Sequence, residues 1–266
     1  MPDFRLADAE FDRQTVILER LLETVDVCVR QDPHAPTVID GHSLPIIPGG
    51  GQNTMAAAAI VLLAAHFEEY IRQQVEEYAT AVVAEYAHLE DEFRENLIDT
   101  YWRAGSGRLG RIRPKGDPGW AGGAELLLRG LISYPVTGNI TEFAANLVSE
   151  HENNMRWEIV TNLMARVGVQ KLSERLFRSA DLKRSLGNPL KSDFSRSLRI
   201  RLNEFYTTRN SIVHSIAQNA GIGTTIFDNW AQFFRFFTTA IAIASESSFQ
   251  EFTAKINRRK GVSAAP

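Results

Sequence analysis

Six residues in the last quarter of the chain, Arg209-Asn210-Ser211-Ile212-Val213-His214, bring together a fixed cation, an amide and a titratable imidazole. Arginine stays charged and offers five N–H donors in a planar fork that matches a phosphate or a carboxylate. Histidine exchanges protons near neutral pH and so serves as general base or acid. An arginine holding the phosphate and a histidine moving the proton suit cleavage of an RNA phosphodiester, because the RNA 2′-hydroxyl supplies the nucleophile. That chemistry requires no metal and no cofactor. Of the six histidines, His214 alone has an arginine five residues before it.

The element that carries these residues is a helix over residues 194–217, with Asp193 as its cap. Its apolar stripe reads Leu198, Leu202, Phe205, Ile212, Val213 and Ile216. Helical spacing calls for one more apolar residue near position 209, and Arg209 stands there. A cation on a core-facing stripe needs an anionic partner, because burying it unpaired is costly. A phosphate is one candidate; a bundle carboxylate such as Glu68 or Glu69 is the other. Asn210 and His214, four residues apart, share a neighbouring face.

Around this helix the pattern is helical throughout. Residues 8–30 place Phe11, Leu18, Leu21, Leu22 and Val25 on one face. Residues 31–51 hold Pro33, Pro36, Pro45, Pro48 and three consecutive glycines, a composition that breaks helices. The expected organisation is an N-terminal helix plus linker (1–51), a helical domain (52–258) and a flexible tail (259–266). Within the domain a long helical region starts at Asn53 or Thr54 and runs towards Trp102, with a break allowed. A glycine-rich loop is expected over 103–123 and a short helix over 124–132. Further helices are expected over 141–167, ended by Gly168, over 172–179 and, after Gly221 and Gly223, over 227–256. No alternating strands and no repeat occur, so the class is all-α: a bundle of long antiparallel helices with an N-terminal helical extension.

Composition narrows the functions. Apolar residues make up 44% of the 266 and charged residues 23%, enough for a packed core. The net charge of −3 rules out nucleic-acid binding by bulk positive charge and leaves local patches. Arg103, Arg108, Arg111, Arg113 and Lys115 lie between Trp102 and Trp120, where cations and rings together suit a single strand. A solvated surface loop has the same composition. Arg108, Arg111, Arg113, Lys115 and Arg201 are the candidate RNA contacts. A second basic stretch, from Arg175 to Arg201, leads into the motif helix. The one cysteine, Cys28, allows no internal disulfide and suits a reducing, cytoplasmic setting. Residues 1–12 carry acids and lack a signal-peptide core. The apolar run 55–65 is too short for a bilayer, so no membrane partner is expected. Glu85 and His88 form one Glu-x-x-His pair where a di-iron bundle needs two, and no metal is expected. The glycines at 105, 107 and 110 match G-x-G-x-x-G without the strand that this motif requires.

The motif Arg209-Asn210 followed by His214 resembles the active-site motif of the HEPN superfamily. The run Leu62-Leu63-Ala64-Ala65-His66-Phe67-Glu68-Glu69-Tyr70 is similar to the opening helix of its RiboL-PSP-HEPN branch and of a sister branch. Residues 163–172 fit the middle of the same family. The resemblance spans roughly residues 54–256; Ser215 follows His214 where many members have glycine. It implies a HEPN-like helical bundle and a homodimer with two motifs facing a shared cleft. It also implies metal-independent endoribonuclease activity in a toxin or antiviral defence effector, with RNA and an antitoxin or defence-system protein as partners. A non-catalytic HEPN-like module that binds RNA or protein is the alternative.

Overall fold

In the computed structural model the chain is described over residues 2–30, 38–39, 41–45, 47, 50–214 and 222–263. Its α-helices, among the described residues, are α1 (Phe4–Arg30), α2 (Gly51–Val83), α3 (Asp91–Arg111), α4 (Trp120–Thr137), α5 (Trp157–Arg166), α6 (Leu172–Leu176), α7 (Ala180–Ser185), α8 (Lys191–His214) and α9 (Thr224–Ser263). The expected all-α class holds. The only strands described are the two-residue β1 (Val38–Ile39) and β2 (His42–Ser43), paired antiparallel.

The helices sort into two compact units that do not follow chain order. One comprises Arg5–Tyr70 and Leu176–Ala240; the other comprises Met1–Phe4, Ile71–Arg175 and Ile241–Pro266. Helices α2 and α9 each give one stretch to each unit.

In the unit that contains α8, the N-terminal helix is part of the core. Phe11, Leu18, Leu22, Val25 and Cys28 are buried, whereas Leu21, expected on the same stripe, is exposed. The Phe11 ring meets Tyr70 of α2 at 5.9 Å. Arg235 of α9 donates to Asp12 at 2.7 Å and grips Glu19 with two nitrogens at 2.6 and 2.8 Å. α2 meets the length and composition for crossing a membrane, with a most apolar window of mean hydropathy 1.3. Half of that window is buried inside the protein, as in a core helix. The long helical region expected from Asn53 or Thr54 is present as α2 and α3, with the allowed break between Val83 and Asp91.

The other unit departs most from the pattern in the sequence. Residues 103–111, expected in a loop because of their glycines, continue α3 to Arg111. Gly105 is buried, and a Cβ there would stand 2.3, 2.6 and 2.8 Å from three side-chain carbons of Leu131 on α4. This glycine serves close helix approach rather than a turn. Residues 141–156, expected in one long helix, run instead through two short 3-10 turns, Ile140–Glu142 and Ala145–Leu147, before α5 begins. Side chains compete there for backbone groups that a helix would use. The Asn139 carboxamide accepts from the Thr141 N–H at 3.1 Å, and the Tyr101 hydroxyl accepts from the Ala144 N–H at 3.1 Å. Arg166 donates to the Val148 and Glu150 carbonyls at 3.1 and 2.8 Å. α9 passes through Arg259 and Lys260, where a tail was expected; Arg259 bonds the His88 carbonyl and pairs with Glu90.

Gly105→Val is expected to lower stability by about 1–3 kcal/mol through overpacking. Urea unfolding followed by circular dichroism measures it, and an unchanged midpoint would show that α4 can yield.

Candidate active site

The rotation of α8 about its axis is set by rings. Phe194, Leu198, Leu202, Phe205 and Tyr206 are buried. Phe205 packs edge-on against Phe234 at 4.5 Å and against Trp230 at 5.2 Å, both on α9. Phe234 in turn meets Phe67 of α2 at 4.6 Å, and the Tyr70 hydroxyl donates to the Thr238 carbonyl at 2.6 Å. Each such ring pair contributes about 0.5–1.5 kcal/mol beyond its buried area. Phe67 and Tyr70, the aromatic residues of the Phe-Glu-Glu-Tyr run, are therefore core.

Arg209 stands one turn beyond Phe205, in line with Leu198 and Leu202, as the spacing required. Its side chain is half-buried. Nη1 donates to Oδ1 of the neighbouring Asn210 at 3.2 Å. Nε is buried without a hydrogen-bond partner. No carboxylate pairs with Arg209 among the described residues, so Glu68 and Glu69 do not neutralise it. His214 ends the described part of α8 and is exposed, and no hydrogen bond joins it to Arg209 or Asn210. Ser215 and the rest of 215–221 lie outside the described residues.

The other candidate contacts are differently placed. Arg201 lies with its guanidinium 3.8 Å over the Trp230 ring and 3.6 Å from Glu204. Burial pushes its pKa down, with Glu204 opposing. This cation is occupied by a ring face, a contact that no spacing in the sequence announces. Arg108, Arg111, Arg113 and Lys115 belong to the other unit. Arg111 bonds Glu150 at 2.7 Å and Glu152 at 2.8 Å, and Arg108 lies 3.7 Å from Glu150. Arg113 donates to the Gly110 carbonyl at 3.1 Å, and Lys115 is exposed. Arg108 and Arg111 are thus on a helix and partly neutralised, not on a free loop.

Among the described residues no three histidine, cysteine or acidic side chains group as metal ligands. Glu85 meets His88 at 3.5 Å and Lys260 at 2.7 Å, a surface cluster. Residues 105–110 are helical, so their glycines form no phosphate cradle.

An arginine that completes a structural ion pair and one that waits for a ligand respond oppositely to replacement. Arg209→Met is expected to leave the unfolding free energy unchanged or to raise it by up to about 1 kcal/mol, because a buried N–H without a partner is removed. A loss of about 3 kcal/mol or more in the same measurement would mark a structural pair.

Among known proteins, a family model described as RiboL-PSP-HEPN matches residues 38–247. No curated protein and no solved structure matches the chain.

Proposed function

The chain belongs to the RiboL-PSP-HEPN family, and on that premise we propose that it is a metal-independent endoribonuclease in which Arg209, Asn210 and His214 act on the RNA backbone. The observation that carries this reading is the state of Arg209. Half-buried arginines elsewhere are matched: Arg235 by Asp12 and Glu19, Arg175 by Glu251, Arg166 by carbonyls, Arg201 by Trp230. Arg209 has the Asn210 amide and no anion among the described residues. A cation held on a core-facing line without a protein anion is suited to an anion that arrives, and a phosphodiester fits its fork.

The proposed reaction is attack of the 2′-oxygen on the adjacent phosphorus. The O2′–P bond forms and the P–O5′ bond breaks, leaving a 2′,3′-cyclic phosphate and a 5′-hydroxyl. Arg209 stabilises the charge that grows on the non-bridging oxygens. Asn210, accepting from Nη1, holds the guanidinium in place. His214, exposed at the end of α8, exchanges the proton. In a homodimer with two motifs facing one cleft, one imidazole takes the 2′ proton while the other protonates O5′. A toxin or defence role, with an antitoxin or defence-system partner, belongs to this proposal, as does a cytoplasmic location.

The non-catalytic alternative, an RNA- or protein-binding module, is favoured by one observation: no hydrogen bond joins His214 to Arg209 or Asn210. Purified protein is incubated with RNA in excess chelator. Cleavage is expected, and Arg209→Ala and His214→Ala are each expected to slow it by about 10²–10⁴-fold without unfolding the protein. Salt-sensitive binding without cleavage would favour the module instead. A requirement for added metal, or full activity in His214→Ala, would overturn the mechanism.

A further inference from the structure

The unit that lacks α8 contains a cavity of about 490 Å³, within the range of small-molecule sites. Its walls come from α2, α3, the turn between α5 and α6, and the last turns of α9. The lining combines buried Leu89, Val167 and Ile256 with the rings of Phe93 and Phe252. Two strong ion pairs close parts of the rim: Arg175 with Glu251 at 2.7 Å, and Arg259 with Glu90. Lys171 and Lys255, also lining the cavity, are exposed, and no anion pairs with either among the described residues. Glu92 is the one acid of the lining left similarly unpaired, so the unpaired charges sum to one positive.

The backbone at Lys171 supplies an independent sign. Within four residues the chain turns left-handed twice, at Gly168 (φ 98) and at Lys171 (φ 53). Glycine suits the first, where a Cβ would stand 3.0 Å from the Phe93 ring. The second is occupied by a lysine, whose side chain offers none of the local hydrogen bonding that eases this conformation for asparagine at 188. Its carbonyl accepts from the Glu174 and Arg175 N–H groups at 3.0 and 3.2 Å, which glycine would do equally well. A strained residue kept against local preference, with an unpaired ammonium at a cavity, marks a place where the side chain has a use.

We propose that this cavity binds a small amphipathic anion, a single acidic headgroup on an aromatic or acyl body, with Lys171 and Lys255 on the headgroup and Phe93 and Phe252 against the body. Neither Arg209 nor His214 lines the cavity, and the proposal does not depend on their role.

The probe is 8-anilinonaphthalene-1-sulfonate, titrated by fluorescence into the folded full chain. Saturable one-site binding is expected, with competition by phenyl phosphate if the body is aromatic and by octanoate if it is acyl. Lys171→Gly is expected to raise the urea midpoint, by relieving the left-handed lysine, while weakening probe binding at least about tenfold. Lys255→Ala is expected to weaken binding without changing the midpoint. Arg258→Ala, exposed on α9 and outside the cavity lining, serves as the control and should change neither. Absence of saturable binding, binding untouched by both cavity-lysine variants, or a lower midpoint in Lys171→Gly would each overturn the proposal. Binding lost only when Leu128 and Ile132, exposed on α4, are changed to serine would place the probe on that surface and overturn it too.

Discussion

The contacts of Phe205 with Trp230 and Phe234, and of Phe234 with Phe67, determine what the rest of α8 presents. A helix held by rings at one position cannot rotate without breaking several edge-on contacts at once, and its later residues then fall where a 100° step per residue puts them. Arg209 is thereby placed in line with Leu198, Leu202 and Phe205, and Asn210 and His214 follow on the adjoining face. The chemistry of the segment is thus a consequence of packing that lies a turn or more away. The Phe-Glu-Glu-Tyr run of α2 joins the same arrangement through its rings: Phe67 packs on Phe234, and Tyr70 is tied to the Thr238 carbonyl.

Electrostatics separates Arg209 from other partly buried cations. Arg235 shows what a structural arginine looks like, clamped between Asp12 and Glu19 so that α1 is tied to α9. Arg166 shows a second solution, with backbone carbonyls of an irregular stretch taking its donors. Among the described residues Arg209 has neither; its Nε–H is out of water without a partner, as are those of Arg94 and Arg201, but no carboxylate, backbone carbonyl or ring face meets the rest of its guanidinium as one does for those two. Such a group costs free energy in the folded protein, and sites of function are where proteins keep such costs. Lys171 follows the same logic through backbone conformation instead of charge burial.

Much of the fold was legible because helical periodicity is a local signal. The stripe of α1, the apolar line of α8 interrupted at 209 and the ring-rich start of α9 are all present in the residues themselves. The failures have physical causes. Glycines at 105, 107 and 110 read as a loop, yet Gly105 is there so that Leu131 can approach. Residues 141–156 carry helix formers, but Asn139, Tyr101 and Arg166 take over their backbone groups, and Tyr101 and Arg166 come from other elements, α3 and α5. The need of Arg209 for an anion could be read from spacing; that no carboxylate among the described residues meets it could not, because that depends on where α2 places Glu68 and Glu69. The occupation of Arg201 by Trp230, and of Arg111 by Glu150 and Glu152, was hidden for the same reason.

In the proposed reaction Arg209 and His214 promote attack by the RNA 2′-hydroxyl. Its most direct test is the chemistry of the cut ends, read by mass spectrometry after cleavage in chelator of an oligonucleotide with one ribonucleotide in a deoxyribonucleotide strand. A single cut 3′ of the ribonucleotide is expected, with a 2′,3′-cyclic phosphate on one fragment, a 5′-hydroxyl on the other, and no cleavage of the all-deoxy strand. A 5′-phosphate, or cleavage of the all-deoxy strand, would contradict it.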